Sequence, residues 1–151
     1  MRGKEMKVEL TEDKTLKENE LRIACYKEDE KARKIKRYAE KVDLTLQGKN
    51  ESGTVFIHPD EIYYLESVEK RTYLYLKDQV LETNIKLYEA EGMLEGLTFF
   101  RASKTCIVNV RYVKAIHLQV NRNLLLTMRN EEKIVLSRRN VKEFKQFIGM
   151  E

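Results

Sequence analysis

The chain has 151 residues, a formal net charge of +4 at neutral pH, 42% hydrophobic residues and 36% charged ones. That leaves room for one ordinary domain with an appendage, under a heavily solvated surface. It excludes a membrane span, because no run of about eighteen apolar residues occurs, and the charged start, Met1 to Lys7, leads into no signal-peptide core.

Residues 1–46 read as a small β-β-α leader. Met6 to Leu10 alternates as a strand does, and Leu21 to Tyr26 is a second short strand. Asp29 then opens a helix with Ala32, Ile35, Ala39 and Val42 on one stripe and lysines and arginines around the rest. That stripe suits packing on the leader's own strands or on a second subunit. Residues 47–53, Gln47 to Gly53, have the composition of a linker.

From residue 54 to 151 short β-rich runs follow at close spacing. They are Thr54–His58, Ile62–Glu66, Tyr73–Leu76, Val80–Thr83, Phe99–Arg101, Cys106–Val110, Val113–Val120, Leu124–Met128 and Ile134–Leu136. A helix over Ile85–Leu94 interrupts them, with Leu87, Ala90 and Leu94 on one face and Gly96 where a C-cap glycine belongs. A last helix is predicted over Val141–Ile148. The fold class is therefore α+β, mainly β, with short helices.

Little in the chain suggests catalysis. There is no P-loop and no GxGxxG, and glycine occurs only six times. His58 and His117 lie far apart, each in a strand pattern. There is no CxxC, and Cys25 and Cys106 read as buried reduced thiols of a cytoplasmic protein. No enzyme, cofactor or metal site is expected.

Charge is unevenly spread. The balance is +2 up to Gly53, −5 from Thr54 to Glu95 and +7 from Gly96 to Glu151. A basic C-terminal third suits a polyanionic partner. Three polar-basic clusters stand beside stiff apolar strands: Lys70, Arg71 and Thr72; Ser103, Lys104 and Thr105; and Arg138, Arg139 and Asn140 after Ser137. Arginine suits a bidentate contact with guanine and asparagine one with adenine, while serine, threonine and lysine suit phosphates. Tyr63, Tyr64, Tyr73 and Tyr75 lie in the acidic segment and read as sheet packing.

In combination, Ile62-Tyr63-Tyr64-Leu65-Glu66, the helix, Phe99-Phe100-Arg101-Ala102-Ser103-Lys104-Thr105-Cys106-Ile107-Val108-Asn109 and then Ser137-Arg138-Arg139 resemble the LytTR DNA-binding domain. This family occurs at the C-terminus of many bacterial response regulators and in stand-alone regulators. The resemblance runs from about Thr54 to Ile148. It implies an elongated, mostly β fold whose loops enter successive major grooves of double-stranded DNA. Carried over residue by residue, the contacts fall on Lys70, Arg71 and Thr72, on Arg101, Ser103, Lys104 and Thr105, and on Arg138, Arg139 and Asn140. Arg139 is the foremost base contact, Arg101 and Thr105 hold phosphates, and Asn109 closes a strand turn. The family commonly has histidine where Ser103 stands and arginine or asparagine where Lys104 stands, so this chain's recognised sequence should differ.

The resulting expectation is a cytoplasmic bacterial transcriptional regulator, without membrane insertion, that acts as a homodimer. The leader helix is open to an unidentified protein partner. Two rival readings stand beside it: a protein-interaction module that has lost DNA binding, and an RNA binder.

Overall fold

Cys106 to Val108 is a continuous apolar run because its strand is covered on both faces. The computed structural model describes residues 5–150; of the charged start, Met1 to Lys4 lie outside the described residues. In chain order the regular elements are α1 (Glu30–Glu40), β1 (Leu46–Asn50), β2 (Gly53–Ile57), β3 (Tyr64–Val68), β4 (Arg71–Tyr75), β5 (Val80–Thr83), α2 (Leu87–Met93), β6 (Phe99–Ser103), β7 (Cys106–Asn109), β8 (Val113–Leu118), β9 (Leu124–Met128), β10 (Lys133–Leu136) and α3 (Val141–Phe147). Among the described residues, ten strands and three short α-helices make the fold α+β and mainly β.

The strands form two antiparallel sheets. Seven run in the order β2-β1-β5-β4-β3-β7-β6, and three in the order β10-β9-β8. The pleat sends alternate residues to opposite faces. Leu65, Leu74, Leu81 and Ile107 therefore pack on one side of the large sheet with Leu87 and Ala90 of α2 and Leu94 at its C-cap. Tyr64, Cys106 and Val108 point the other way, into a second core with Leu124, Leu126, Met128, Leu136 and Phe144. The central strands β3 and β7 serve both cores, which makes them the rigid axis of the molecule.

Asn109 ends β7 and is buried. Its Nδ2 donates to the Ile62 carbonyl at 2.8 Å, and its Oδ1 accepts from Thr98 Oγ1 at 2.7 Å and from Arg111 N at 3.1 Å. The strand turn read into Asn109 is thus a buried polar knot, and it leaves no orphaned group.

The leader departs from expectation. Met6–Leu10 and Leu21–Tyr26 join no ladder and are largely exposed. Neither strand has a neighbour to supply ladder hydrogen bonds, and a short isolated strand is not stable in water. Cys25 is exposed with its segment, so only Cys106 is the buried thiol that both were read to be. The helix does form, with Asp29 capping the Ala32 amide at 2.8 Å. It docks on its own chain. Lys41 Nζ donates to the carbonyls of Met93, at 3.0 Å, and Glu95. Tyr38 donates to Asp60 at 3.1 Å, and His58 Nε2 lies 2.9 Å from the Val42 carbonyl. Gly96, at φ +84°, lets Arg37 lie across it; a Cβ there would meet Arg37 Cδ at 2.6 Å. Of the predicted stripe, Ala32 is buried, Ile35 and Ala39 are half-buried, and Val42 is exposed.

Residues 47–53, read as a linker, are strand β1 and the turn into β2, paired from Leu46↔Ile57 to Asn50↔Gly53. Polar turn residues dominate this hairpin's composition and conceal its ladder. Among the described residues no helix is long and apolar enough to cross a membrane.

Candidate nucleic-acid interface

The second and third polar-basic clusters share one surface, and the first is tied to the second through β3. The first sits at the β3–β4 hairpin tip. Val68 pairs with Arg71, leaving Glu69 and Lys70 as a two-residue turn, both at positive φ (50° and 68°). This twist matches the flanking strands but is one that glycine or asparagine adopts at lower cost. Lys70 and Arg71 are exposed, with Arg71 Nη1 3.7 Å from Glu82. Thr72, expected as a contact beside Lys70 and Arg71, is instead 4% exposed, a buried β4 residue paired with Ser67 and Thr83. β4 begins at Arg71, two residues before the expected strand start at Tyr73, and this makes Thr72 a strand residue.

Ser67 N donates to the Thr105 carbonyl at 2.8 Å, tying this hairpin to the second cluster. That cluster is the β6–β7 turn, where a bulge between Arg101 and Ser103 breaks the register. A bulge leaves backbone groups without ladder partners. The bulged residue is Ala102, and beyond it Arg101 holds the turn: its Nε donates to the Ser103 carbonyl at 2.7 Å and its Nη2 to the Lys104 carbonyl at 2.6 Å. Its Nη1 meets Glu91 Oε2 of α2 at 2.5 Å. Ser103 Oγ accepts from Thr105 N at 3.2 Å, closing the turn from within. Lys104 and Thr105 point to solvent.

The third cluster follows β10 as a 3-10 turn, Arg138–Asn140, leading into α3. It is fastened to the second. Ser137 N, at 3.4 Å, and Asn140 Nδ2, at 3.3 Å, both donate to the Ala102 carbonyl. On the far side Asn123 Oδ1 accepts from Arg138 N at 2.9 Å. Arg101, Ser103, Lys104, Thr105, Ser137, Arg139 and Asn140 line one shallow open surface. The Asn140 amide and the Arg101 guanidinium thus hold backbone. The ammonium groups of Lys70 and Lys104 and the guanidinium groups of Arg138 and Arg139 take no hydrogen bond or ion pair among the described residues.

Under this surface lies Cys106, paired with Ser103 across the turn. Burial pushes its thiol up to about 12, with the Glu66 carboxylate adding to the shift and Arg101 opposing it. Asn123 and Glu91 were not singled out from the sequence. The Asn121-Arg122-Asn123 turn composition was a signal for the first; a helix-surface glutamate offers none.

A family model described as the LytTr DNA-binding domain matches residues 52–149. Sensory transduction protein LytT of Enterococcus faecalis is 26% identical over 107 residues, which is 71% of this chain and 43% of that protein. Transcriptional regulatory protein YpdB of Escherichia coli (strain K12) is 28% identical over 92 residues, 60% of this chain and 38% of that protein. The chain thus spans about two fifths of the length of these curated relatives. Among solved structures, a LytTr DNA-binding domain from Bacillus cereus is 27% identical with a TM-score of 0.66, covering 70% of this chain and 97% of that one.

Proposed function

We propose that this chain, which belongs to the LytTr DNA-binding domain family, reads double-stranded DNA sequence-specifically as part of a bacterial transcriptional regulator. The observation that carries the reading is the surface shared by the second and third clusters, where free cations stand on backbone fixed by Arg101, Asn123 and Asn140. Directional base contacts need such fixed geometry. Arg139 reads a base edge in one major groove. Lys104 and Thr105 grip the adjoining phosphates, and Ser103, with its hydroxyl turned into the loop, adds little readout. Lys70 and Arg71 engage the backbone of the neighbouring groove.

RNA reading is disfavoured by the tyrosines. Tyr63 stacks on Tyr112 at 4.1 Å and Tyr64 on Tyr75 at 4.2 Å, in the core, so neither offers a base a free aromatic face. The family is a DNA-binding domain, and the reading assigns the chain no catalysis.

One domain presents few base-reading side chains, which favours a homodimer on two half-sites in the cytoplasm, where the chromosome lies. The docked leader helix leaves only part of its stripe for pairing; the exposed chain before it, with Leu10, Leu21 and Tyr26 open, is the better surface for a protein partner. Selection of duplexes from a random pool by the purified protein tests the reading. Enrichment of one motif supports it, and retention of all sequences alike refutes it. Sedimentation on a two-site duplex separates monomer from dimer.

A further inference from the structure

We propose that Glu91, a residue of α2 without a DNA-facing role of its own, is a positioning residue for the Ser103–Thr105 loop and acts through Arg101. The inference rests on the DNA-binding reading and deepens it. Arg101 was the residue expected to hold a phosphate, yet its fork is occupied on three sides. Two N–H groups bond the Ser103 and Lys104 carbonyls at 2.7 and 2.6 Å, and the third nitrogen meets Glu91 at 2.5 Å. Those carbonyls belong to the tight β6–β7 turn beyond the bulge, Ser103 at its closing pair with Cys106 and Lys104 within the turn itself. The guanidinium is planar and delocalised, so orienting one edge on a carboxylate orients the other edge on the loop. Glu91 sits one residue after Ala90, which is fully buried on the core-facing side of α2, so the carboxylate stands on a helix anchored in the large core. The helix, the arginine and the loop form one rigid path from the core to Lys104. An acidic group beside a surface built for a polyanion is otherwise a liability. Its place here is explained if it fixes loop shape.

The sign of the effect makes the idea testable. Removing a carboxylate near the DNA face should, by charge alone, tighten binding to every duplex. Positioning predicts the opposite for the preferred duplex. The experiment titrates full-length wild-type, Glu91→Gln and Arg101→Lys proteins with the selected duplex and with an unrelated one, across a salt series. Glu91→Gln should bind the preferred duplex on the order of tenfold more weakly, the scale of losing one base contact, with the unrelated duplex unchanged or tighter. Arg101→Lys keeps the charge and loses the fork; it should show the same loss with an unchanged salt slope. Equal or tighter binding of the preferred duplex by Glu91→Gln overturns the proposal, as does full activity of Arg101→Lys, which a plain phosphate contact would allow.

Hydrogen exchange on the free proteins separates this proposal from the functional reading. The Lys104 and Thr105 amides should exchange faster in both variants than in wild type while α2 and β7 keep their protection. Unchanged exchange refutes the positioning role. Should wild type select no duplex, the functional reading fails and the exchange result alone decides this one.

Discussion

The hairpin tip at Glu69–Arg71 and the paired turns at Ser103–Thr105 and Ser137–Asn140 carry similar residues on dissimilar supports. The tip is held by backbone and by one exposed ion pair, Arg71 to Glu82 at 3.7 Å, with two non-glycine residues at positive φ and the Lys70 ammonium free in solvent. The paired turns are braced by side chains: Arg101 on two carbonyls, Asn140 on Ala102, Asn123 on Arg138. Phosphate attraction tolerates a spread of positions, whereas a hydrogen bond to a base edge loses value within a fraction of an ångström. The difference in bracing therefore divides the labour. The braced face reads, and the tip holds.

Arg139→Ala gives the sharpest test of that division. It should cost about 1–3 kcal/mol on the preferred duplex and far less on an unrelated one, measured by fluorescence anisotropy. A loss equal on all duplexes would break the comparison, since the braced face would then be only a phosphate grip. Lys70→Gly should do the reverse. Glycine relieves a left-handed backbone costing roughly 1–2 kcal/mol and returns part of that as chain entropy, so stability should rise by up to about 1 kcal/mol in urea unfolding. Binding should weaken alike on every duplex, with the salt slope reduced by about one. A collapse of sequence preference would make the tip a reader. Asn140→Ala, the smaller change, should cost about 0.5–1.5 kcal/mol of stability through its lost bond to Ala102. It should also flatten discrimination between duplexes, which a tip variant should not do.

How far these regions were legible follows from what sequence patterns record. Strand alternation and apolar spacing placed β3, β7, β9 and α2 within a residue or two, because burial imposes a period of two or 3.6 on the chain. The three clusters were legible as charge beside apolar runs. Their bracing was not. Nothing local marks Arg101 as turned back on Ser103 and Lys104, since that geometry depends on how β6 turns into β7. Thr72 was misplaced because β4 begins at Arg71, two residues before the expected Tyr73, which turns a loop residue into a buried strand residue. The leader strands failed for the opposite reason: alternation was present, but no partner strand lay within reach to complete a ladder.

The two cysteines report on the bracing directly. Cys25 is exposed on the leader, while Cys106 is buried beneath the braced turn with its thiol pushed up to about 12 from an ordinary value of 9. A thiol raised by burial favours the protonated folded state. Its contribution is complete below its unfolded value and is lost as pH rises from there towards 12. Between pH 6 and 8 Cys106 should therefore leave stability unchanged and should not react, because only the thiolate is nucleophilic. Native protein should lose one thiol quickly to an alkylating reagent and the second only on unfolding, as counted by intact mass. Lys70→Gly should leave that pattern alone. Arg101→Lys should speed the slow thiol, because the turn paired with Cys106 opens when its carbonyls lose their donor. Two fast thiols in wild type would show that the braced face is no better held than the tip.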